Sequence, residues 1–253
     1  MISFIRLNWI LFICATFLLS CAHTIPEKNN KSAKIHYQIG LDSIQRGQLP
    51  KAFDELMQSN TENPNQPKTL DALAYAWRLQ GNMKQSESFY KQAIAAGATS
   101  SVYTNYGALL VSLQRYKEAE KMLRKALEDP RYRKQYIALI HLGDALAGQN
   151  QPDEAIKNYR KAAMMNPRQN ISQLKEAKVY ENTGRVNYAQ ALYETMLRKQ
   201  PTLRPALESL IALLVKRSEI TAARKHLAHY LEKEKNPLNR AWASDELTRL
   251  GRM

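Results

Sequence analysis

Few side chains of this 253-residue chain stand at spacings that bond-making chemistry requires. His226 and His229 lie three residues apart, so on a helix both would face one side and could offer two nitrogens to a metal ion. No third ligand stands near them in the sequence, and a solvated or capping place near a helix end is the alternative. His141 stands alone. There is no G-x-S-x-G nucleophile turn, no H-E-x-x-H pair and no phosphate-cradling glycine loop, and Cys14 and Cys21 are not at metal spacing. The expectation is a protein that is not an enzyme and uses no metal, cofactor or small-molecule substrate. What remains is a pair of the types that dominate energy at protein interfaces, Tyr75 and Arg78, one helical turn apart.

The elements that must position this pair come in copies. Windows of about 34 residues starting at Ala33, Pro67, Ser100, Tyr136, Asn170 and Arg204 align without forcing. Their eighth places hold Gly40, Ala74, Gly107, Gly143 and Ala177, with Ile211 as the exception. Their twentieth places hold Ala52, Ser86, Ala119, Ala155, Ala189 and Ala223. Small residues at both places let two antiparallel helices approach to roughly 8–10 Å. Large residues at helical spacing flank them: Leu70, Tyr103, Leu139 and Leu207 at the fourth place, Trp77, Leu110, Leu146, Tyr180 and Leu214 at the eleventh. Leu56, Tyr90, Leu123, Tyr159, Tyr193 and Leu227 stand at the twenty-fourth. Pro64, Pro167 and Pro201 each end a second helix, because proline lacks the amide hydrogen and restricts the residue before it.

Two stretches depart from the period. Residues 129–134 insert two extra positions between the third and fourth copies, and a last helix is expected from about Leu238. There Leu238, Trp242, Leu247 and Leu250 oppose Arg240, Asp245, Glu246 and Arg249, the pattern of a cap over a final apolar face.

These columns resemble tetratricopeptide repeats over residues 33–237. The resemblance implies an all-α fold, a right-handed superhelical solenoid of six helical hairpins with a C-terminal capping helix over residues 238–253. It further implies that the first helices line a protein-binding groove. Carried over place by place, the lining is Tyr37, Leu41, Asp71, Tyr75, Arg78, Thr104, Val111, Ile140, Asp144, Leu174, Lys178 and Glu208, with Asn105 at its border. For Leu41, Val111, Ile140 and Leu174 packing between repeats is an equal alternative. The mixture suits an extended peptide or a helix that brings anchors and hydrogen bonds, and it lacks the Lys/Asn/Arg set of carboxylate-clamp repeats.

At the amino terminus Arg6 precedes an apolar run from Trp9 to Leu19, too short to span a bilayer core and of the length of a secretory signal's middle region. The run ends in Leu18-Leu19-Ser20-Cys21, which looks like the lipobox of bacterial lipoproteins. That resemblance implies residues 1–20 as signal peptide, acylation of Cys21, and residues 21–32 as lipidated cysteine and flexible tether. With Ala22 rather than Asp after the cysteine, it implies an outer-membrane anchor facing the periplasm. Loss of Arg6 would leave 36 Lys and Arg against 23 Asp and Glu, a net +13. Such a field favours anionic partners, with nucleic acid out of reach in that compartment and plain solubility as the alternative. The cations occur in every repeat rather than in one block.

The third copy is more specific. Residues 102–110, read as Val-Tyr-Thr-Asn-Tyr-Gly-Ala-Leu-Leu, followed by Arg115-Tyr116-Lys117-Glu118-Ala119, are similar to the Asn-Tyr-Gly stretch of the type IV pilus biogenesis lipoproteins PilW and PilF. In that family the repeat also runs into an inserted segment before a Leu-Gly pair, as Asp129, Tyr132 and Arg133 precede Leu142-Gly143. The resemblance implies a pilotin, a lipid-anchored adaptor that helps a secretin ring assemble in the outer membrane, with the secretin or another pilus-assembly protein as partner. The alternative is a general envelope scaffold that recruits peptidoglycan hydrolases, proteases or the outer-membrane protein assembly machinery.

Overall fold

The computed structural model describes residues 27–252, and among them every regular element is an α-helix. The helices are α1 (Glu27–Gln45), α2 (Leu49–Glu62), α3 (Pro67–Leu79), α4 (Met83–Ala95), α5 (Ser100–Ser112), α6 (Tyr116–Leu127) and α7 (Gln135–Gly148). They continue with α8 (Pro152–Met165), α9 (Ile171–Asn182), α10 (Val186–Lys199), α11 (Arg204–Lys216), α12 (Ile220–Lys233) and α13 (Pro237–Leu250). Consecutive helices pair as six antiparallel hairpins followed by α13, the all-α hairpin architecture expected from the repeat. A division between Ala96 and Gly97 sets off two compact units, the first holding α1 to α4 and the second α5 to α13.

Each hairpin is set by how close its two helices come. A methyl group at Gly40 would lie 2.6 Å from Leu56 Cγ, one at Gly107 2.5 Å from Leu123 Cγ, and one at Gly143 2.5 Å from Tyr159 Cε1. The eighth place is therefore small because the large residue at the twenty-fourth place fills the space beside it. The twentieth-place residues Ala52, Ser86, Ala119, Ala155, Ala189 and Ala223 are all fully buried. Ile211, the exception at the eighth place, is buried as well, as is Leu227 of the same hairpin. Leu56, Tyr90, Leu123, Tyr159, Tyr193 and Leu227 form the core, as do the other expected apolar places, except that Tyr103 and Trp77 stay half-buried. A further close approach was not legible in the period: a methyl group at Gly148 would meet Tyr116 Cε1 at 2.5 Å, across consecutive hairpins.

The turn inside each hairpin repeats as strictly as the crossing. The fifteenth places, Gly47, Gly81, Gln114, Asn150, Gly184 and Ser218, all have positive φ, from 59° at Gln114 to 85° at Gly81. After each of them the next amide donates back to the carbonyl five residues earlier, as in Gln48 N–H to Ser43 O at 2.9 Å and Arg185 N–H to Tyr180 O at 2.8 Å. This 6→1 bond satisfies carbonyls that a helix end leaves orphaned, and the left-handed residue makes it possible.

Two expectations about the ends need correction. α1 begins at Glu27, so residues 27–32, read from composition as tether, form its first turns. Asn63 Nδ2 at the end of α2 donates to Asn30 Oδ1 at 2.9 Å, and Ala33 one turn on is buried, which gives those turns a surface to hold. In α13 the buried residues are Ala243 and Leu250, with Trp242 and Leu247 half-buried, while Leu238 is 79% exposed. Trp242 packs edge-on against Tyr230 of α12 at 6.0 Å between centroids, and the Arg204 guanidinium lies 4.5 Å from its ring centroid. The Glu234 carboxylate holds the junction by accepting from the Lys235 and Asn236 amides and the Tyr230 hydroxyl, each at 2.8 Å.

Replacing Gly107 by Ala is expected to destabilise the protein by about 1–3 kcal/mol, because overpacking against Leu123 outweighs the better helix propensity of Ala. Leu at that position should cost more. Replacing Gln114 or Ser218 by Gly should stabilise by about 1 kcal/mol each, since a side chain in the left-handed region costs roughly 1–2 kcal/mol. Urea unfolding followed by circular dichroism checks both signs.

Candidate functional site

In the first unit the residues expected on the first-helix face come together. Asp71, Tyr75 and Arg78 are half-buried on α3, with the Arg78 guanidinium 5.0 Å from the Tyr75 ring centroid. That stacking of a cation on an aromatic face follows from their three-residue spacing on a helix. Tyr37 on α1 is half-buried, and burial followed by the nearby Asp71 carboxylate raises its phenol pKa. Below this face Phe53 and Trp77 pack with ring centroids 4.5 Å apart. Trp77 Nε1 and Arg78 Nε are buried and find no hydrogen-bond partner within the protein. Both donors sit within one turn of Tyr75.

Tyr37 also lines a cavity of about 230 Å³ with Asn30, Lys34, Asn63, Gln66 and Lys68. Gln66 Nε2 donates to Asn63 Oδ1 at 3.0 Å, and Asn63 in turn donates to Asn30, a run of amides across α1, α2 and the start of α3. Such groups hydrogen-bond the backbone of an extended chain as readily as they bond one another. Sequence reasoning missed this wall. Its signal was present in Ser59, Asn63 and Thr69, polar residues at places the helical period marks as buried.

In the second unit the expected lining separates into different roles. Thr104 is only 1% exposed and its hydroxyl donates to Ser100 O at 2.8 Å, so it closes a bond inside α5 and offers no surface. Asn105 is half-buried beside it, and Ile140 is buried as packing. Lys178 is exposed and pairs with Glu181 at 3.0 Å.

Asp144 on α7 is a structural hub. It accepts from Tyr159 Oη and Lys175 Nζ, both at 2.7 Å, and His141 Nδ1 lies 3.5 Å from its second oxygen. Burial alone would push its pKa up, but the bonds from His141, Lys175 and Tyr159 hold it below the ordinary carboxylate value. The hub ties α7, α8 and α9 together. Beside it Arg160 joins the buried Glu176 at 2.7 Å and the Tyr180 hydroxyl at 2.5 Å.

His226 is half-buried, and burial lowers its pKa. His229 faces Glu232 at 3.4 Å. Among the described residues no group of three or more His, Cys, Asp and Glu could hold a metal ion, and no helix is long and apolar enough to cross a membrane. Cys21 and the apolar run before it lie outside the described residues.

Comparison with known proteins agrees with this geometry. Two tetratricopeptide repeat models match residues 100–128 and 136–169, the third and fourth hairpins. The third and fourth hairpins thus match tetratricopeptide repeats in sequence, and the hairpin array of the described residues is the fold of such repeats. No curated protein matches it significantly. Among solved structures, Pseudomonas aeruginosa PilF superposes with a TM-score of 0.70 at 21% identity, over 87% of this chain and 100% of that one. PilW, described as a widely conserved type IV pilus biogenesis factor, gives a TM-score of 0.74 at 18% identity, over 81% of this chain and 94% of that one. YrrB, a repeat protein with an unusual peptide-binding site, gives 0.53 at 17% identity, over 75% of this chain and 97% of that one. At such identities the likeness is one of fold.

Replacing Asp144 by Ala should cost about 1–3 kcal/mol, because the Tyr159 hydroxyl and the Lys175 ammonium lose their shared acceptor. The pH dependence has a definite sign. A carboxylate whose pKa is lowered by folding contributes stability that is present above its unfolded value of about 3.9 and is lost as pH falls through the folded value. Thermal melts of the Asp144→Asn variant should therefore depend less on pH below about 4 than those of the parent chain.

Proposed function

We propose that this chain is a lipid-anchored adaptor of the bacterial outer membrane, facing the periplasm, that binds a segment of a type IV pilus assembly protein. Its partner in this reading is the secretin, which it helps to reach the membrane and form its ring. No bond is made or broken in the soluble part of the chain. Recognition is the whole activity.

One observation carries the binding part. On α3, Arg78 lies over Tyr75 with its Nε buried and unpartnered, and the amide-lined cavity at Tyr37 lies toward the other end of the same helix, with Thr69 in its wall. An extended segment bringing a carbonyl or carboxylate to Arg78, and one of its own amides to the Gln66 side-chain oxygen, would add bonds at both ends of α3. Tyr and Arg in such a place are the types that dominate binding energy. The pilus part is supported by the fold shared with PilF and PilW and by the Asn105-Tyr106-Gly107 stretch with its following insertion. In this reading Cys21 carries the acyl chains, and the chain rides to the outer membrane on them.

Two experiments test these parts separately. Tyr75→Ala combined with Arg78→Ala should weaken partner binding at least about tenfold without loss of helix, since truncating one such anchor costs upwards of about 1.4 kcal/mol. Full binding by the folded double variant would place the site elsewhere. In cells, detergent-resistant secretin multimer should fall when the gene is deleted or Cys21 is replaced by Ala, with secretin monomer retained. Unchanged multimer in the deletion, together with chaining or detergent sensitivity, would instead favour the general envelope scaffold.

A further inference from the structure

The net charge is far from evenly shared. Residues 97–253 carry 27 Lys and Arg against 16 Asp and Glu, whereas residues 27–96 carry nine against seven, so eleven of the fourteen net positive charges lie in the second unit. Cations do recur in every hairpin, as the sequence leads one to expect, but the excess is local.

Part of that excess has an ordered arrangement. α6 buries Ala119, Leu123 and Ala126, which turns Lys117, Lys121 and Lys125 to solvent at four-residue spacing. α8 buries Ala155, Ile156, Tyr159 and Ala162, which turns Lys157 and Lys161 outward. Lys121 matches Lys157, and Lys125 matches Lys161, in the register of consecutive hairpins. The five are exposed and none is in an ion pair. Three neighbouring acids are already engaged: Glu118 by Arg115, Glu120 by Arg124 and Asp153 by Arg185. Of the remaining acids on these helices and their ends, Glu128 and Glu154 are exposed at the margins and Asp129 pairs with Arg131. Lys125 keeps its ammonium 5.5 Å from the Tyr103 ring centroid.

The same side of α8 also presents Met164, one turn beyond Lys161 and 76% exposed. A large apolar side chain left in water among unpaired lysines is the composition of an interfacial contact, in which cations meet headgroups and an apolar group enters below them. We propose that this face of α6 and α8 lies against an anionic lipid bilayer. Lysine suits such a surface because each ammonium is a mobile point charge, where Arg would be expected for forked bonds to fixed carboxylates. From Lys117 to Lys125 the ammonium groups are strung over about 12 Å of helix instead of converging on one ligand. Spread charge matches a charged sheet better than a single acidic side chain. The face uses different helices from the peptide-binding face on α3, so either can fail without the other.

The test is vesicle binding by the full chain carrying Cys21→Ser, so that no acyl chain is present. Vesicles of phosphatidylcholine alone and of phosphatidylcholine mixed with phosphatidylglycerol are compared at low salt, and the ratio of the two affinities is read. The apolar run at residues 9–19 and Arg6 are common to every sample, so changes among lysine variants cannot come from them. The ratio should strongly favour the anionic vesicles, fall about fivefold for each of Lys121→Gln and Lys157→Gln, and collapse in the variant with all five lysines replaced. Lys51→Gln with Lys84→Gln, both exposed in the first unit, should leave it unchanged. Met164→Gln should weaken binding to the anionic vesicles several-fold. Equal binding to both kinds of vesicle would overturn the proposal, as would a ratio insensitive to the single and fivefold lysine variants. Lysine-dependent capture of polyglutamate with no preference for anionic vesicles would make the face a protein-docking surface and overturn it equally.

Discussion

The contact on which the rest depends is the approach of the eighth residue of each repeat to the twenty-fourth. At Gly40, Gly107 and Gly143 there is no room for one more carbon, because Leu56, Leu123 and Tyr159 occupy the place where it would go. That single distance fixes how deeply two helices of a hairpin interlock, and so how the faces of the first helices are presented. Where the eighth residue is Ala74 or Ala177, its partner across the hairpin is again a buried tyrosine, Tyr90 or Tyr193. The large side chain thus does two jobs in some repeats. Tyr159 fills the crossing with its ring and reaches Asp144 with its hydroxyl, and Tyr193 reaches Glu181 in the same way at 2.6 Å. Core packing and the polar wiring of the first-helix face are parts of one side chain.

Much of this was legible in the sequence, for a physical reason. Helix period, small residues at crossings and prolines at ends are local requirements, and each repeat has to meet them again, so Ala52, Ala119, Ala155, Ala189 and Ala223 stand out by recurrence. What recurrence could not show was which side chain meets which. The wall of Asn30, Asn63 and Gln66 at Tyr37 arises where the end of one hairpin meets the start of the next, with residues 33 and 36 apart in sequence. Thr104 was misread for the opposite reason: a position that faces a ligand in other proteins of this fold is here turned to its own backbone. Family register locates a face, and only the neighbours of a side chain decide whether it is on offer.

The two units differ in how their polar groups are spent. In the first, Trp77 Nε1 and Arg78 Nε are buried with nothing to bond, and the cavity at the start of α3 is lined by amides. In the second, Asp144, Glu176 and Glu181 are each bound by cations or phenols on adjoining helices. Unmet donors cost stability when left buried, and Trp77 and Arg78 on α3 and Ser86 on α4 each carry one. Among the described residues of the second unit no buried side-chain polar atom is left unmatched in this way, and the excess charge of that unit appears on the solvent side of α6 and α8.

The left-handed turn at the fifteenth place closes each hairpin with a bond between residues five apart, at 2.8–2.9 Å in all six. Because each turn needs nothing beyond its own hairpin, the chain has low contact order: a hairpin can form as soon as about thirty residues are free, and the next can add to it. Growth can therefore proceed in the direction of synthesis, with each completed pair of helices offering the next an apolar template and no strand edge left waiting for a distant partner.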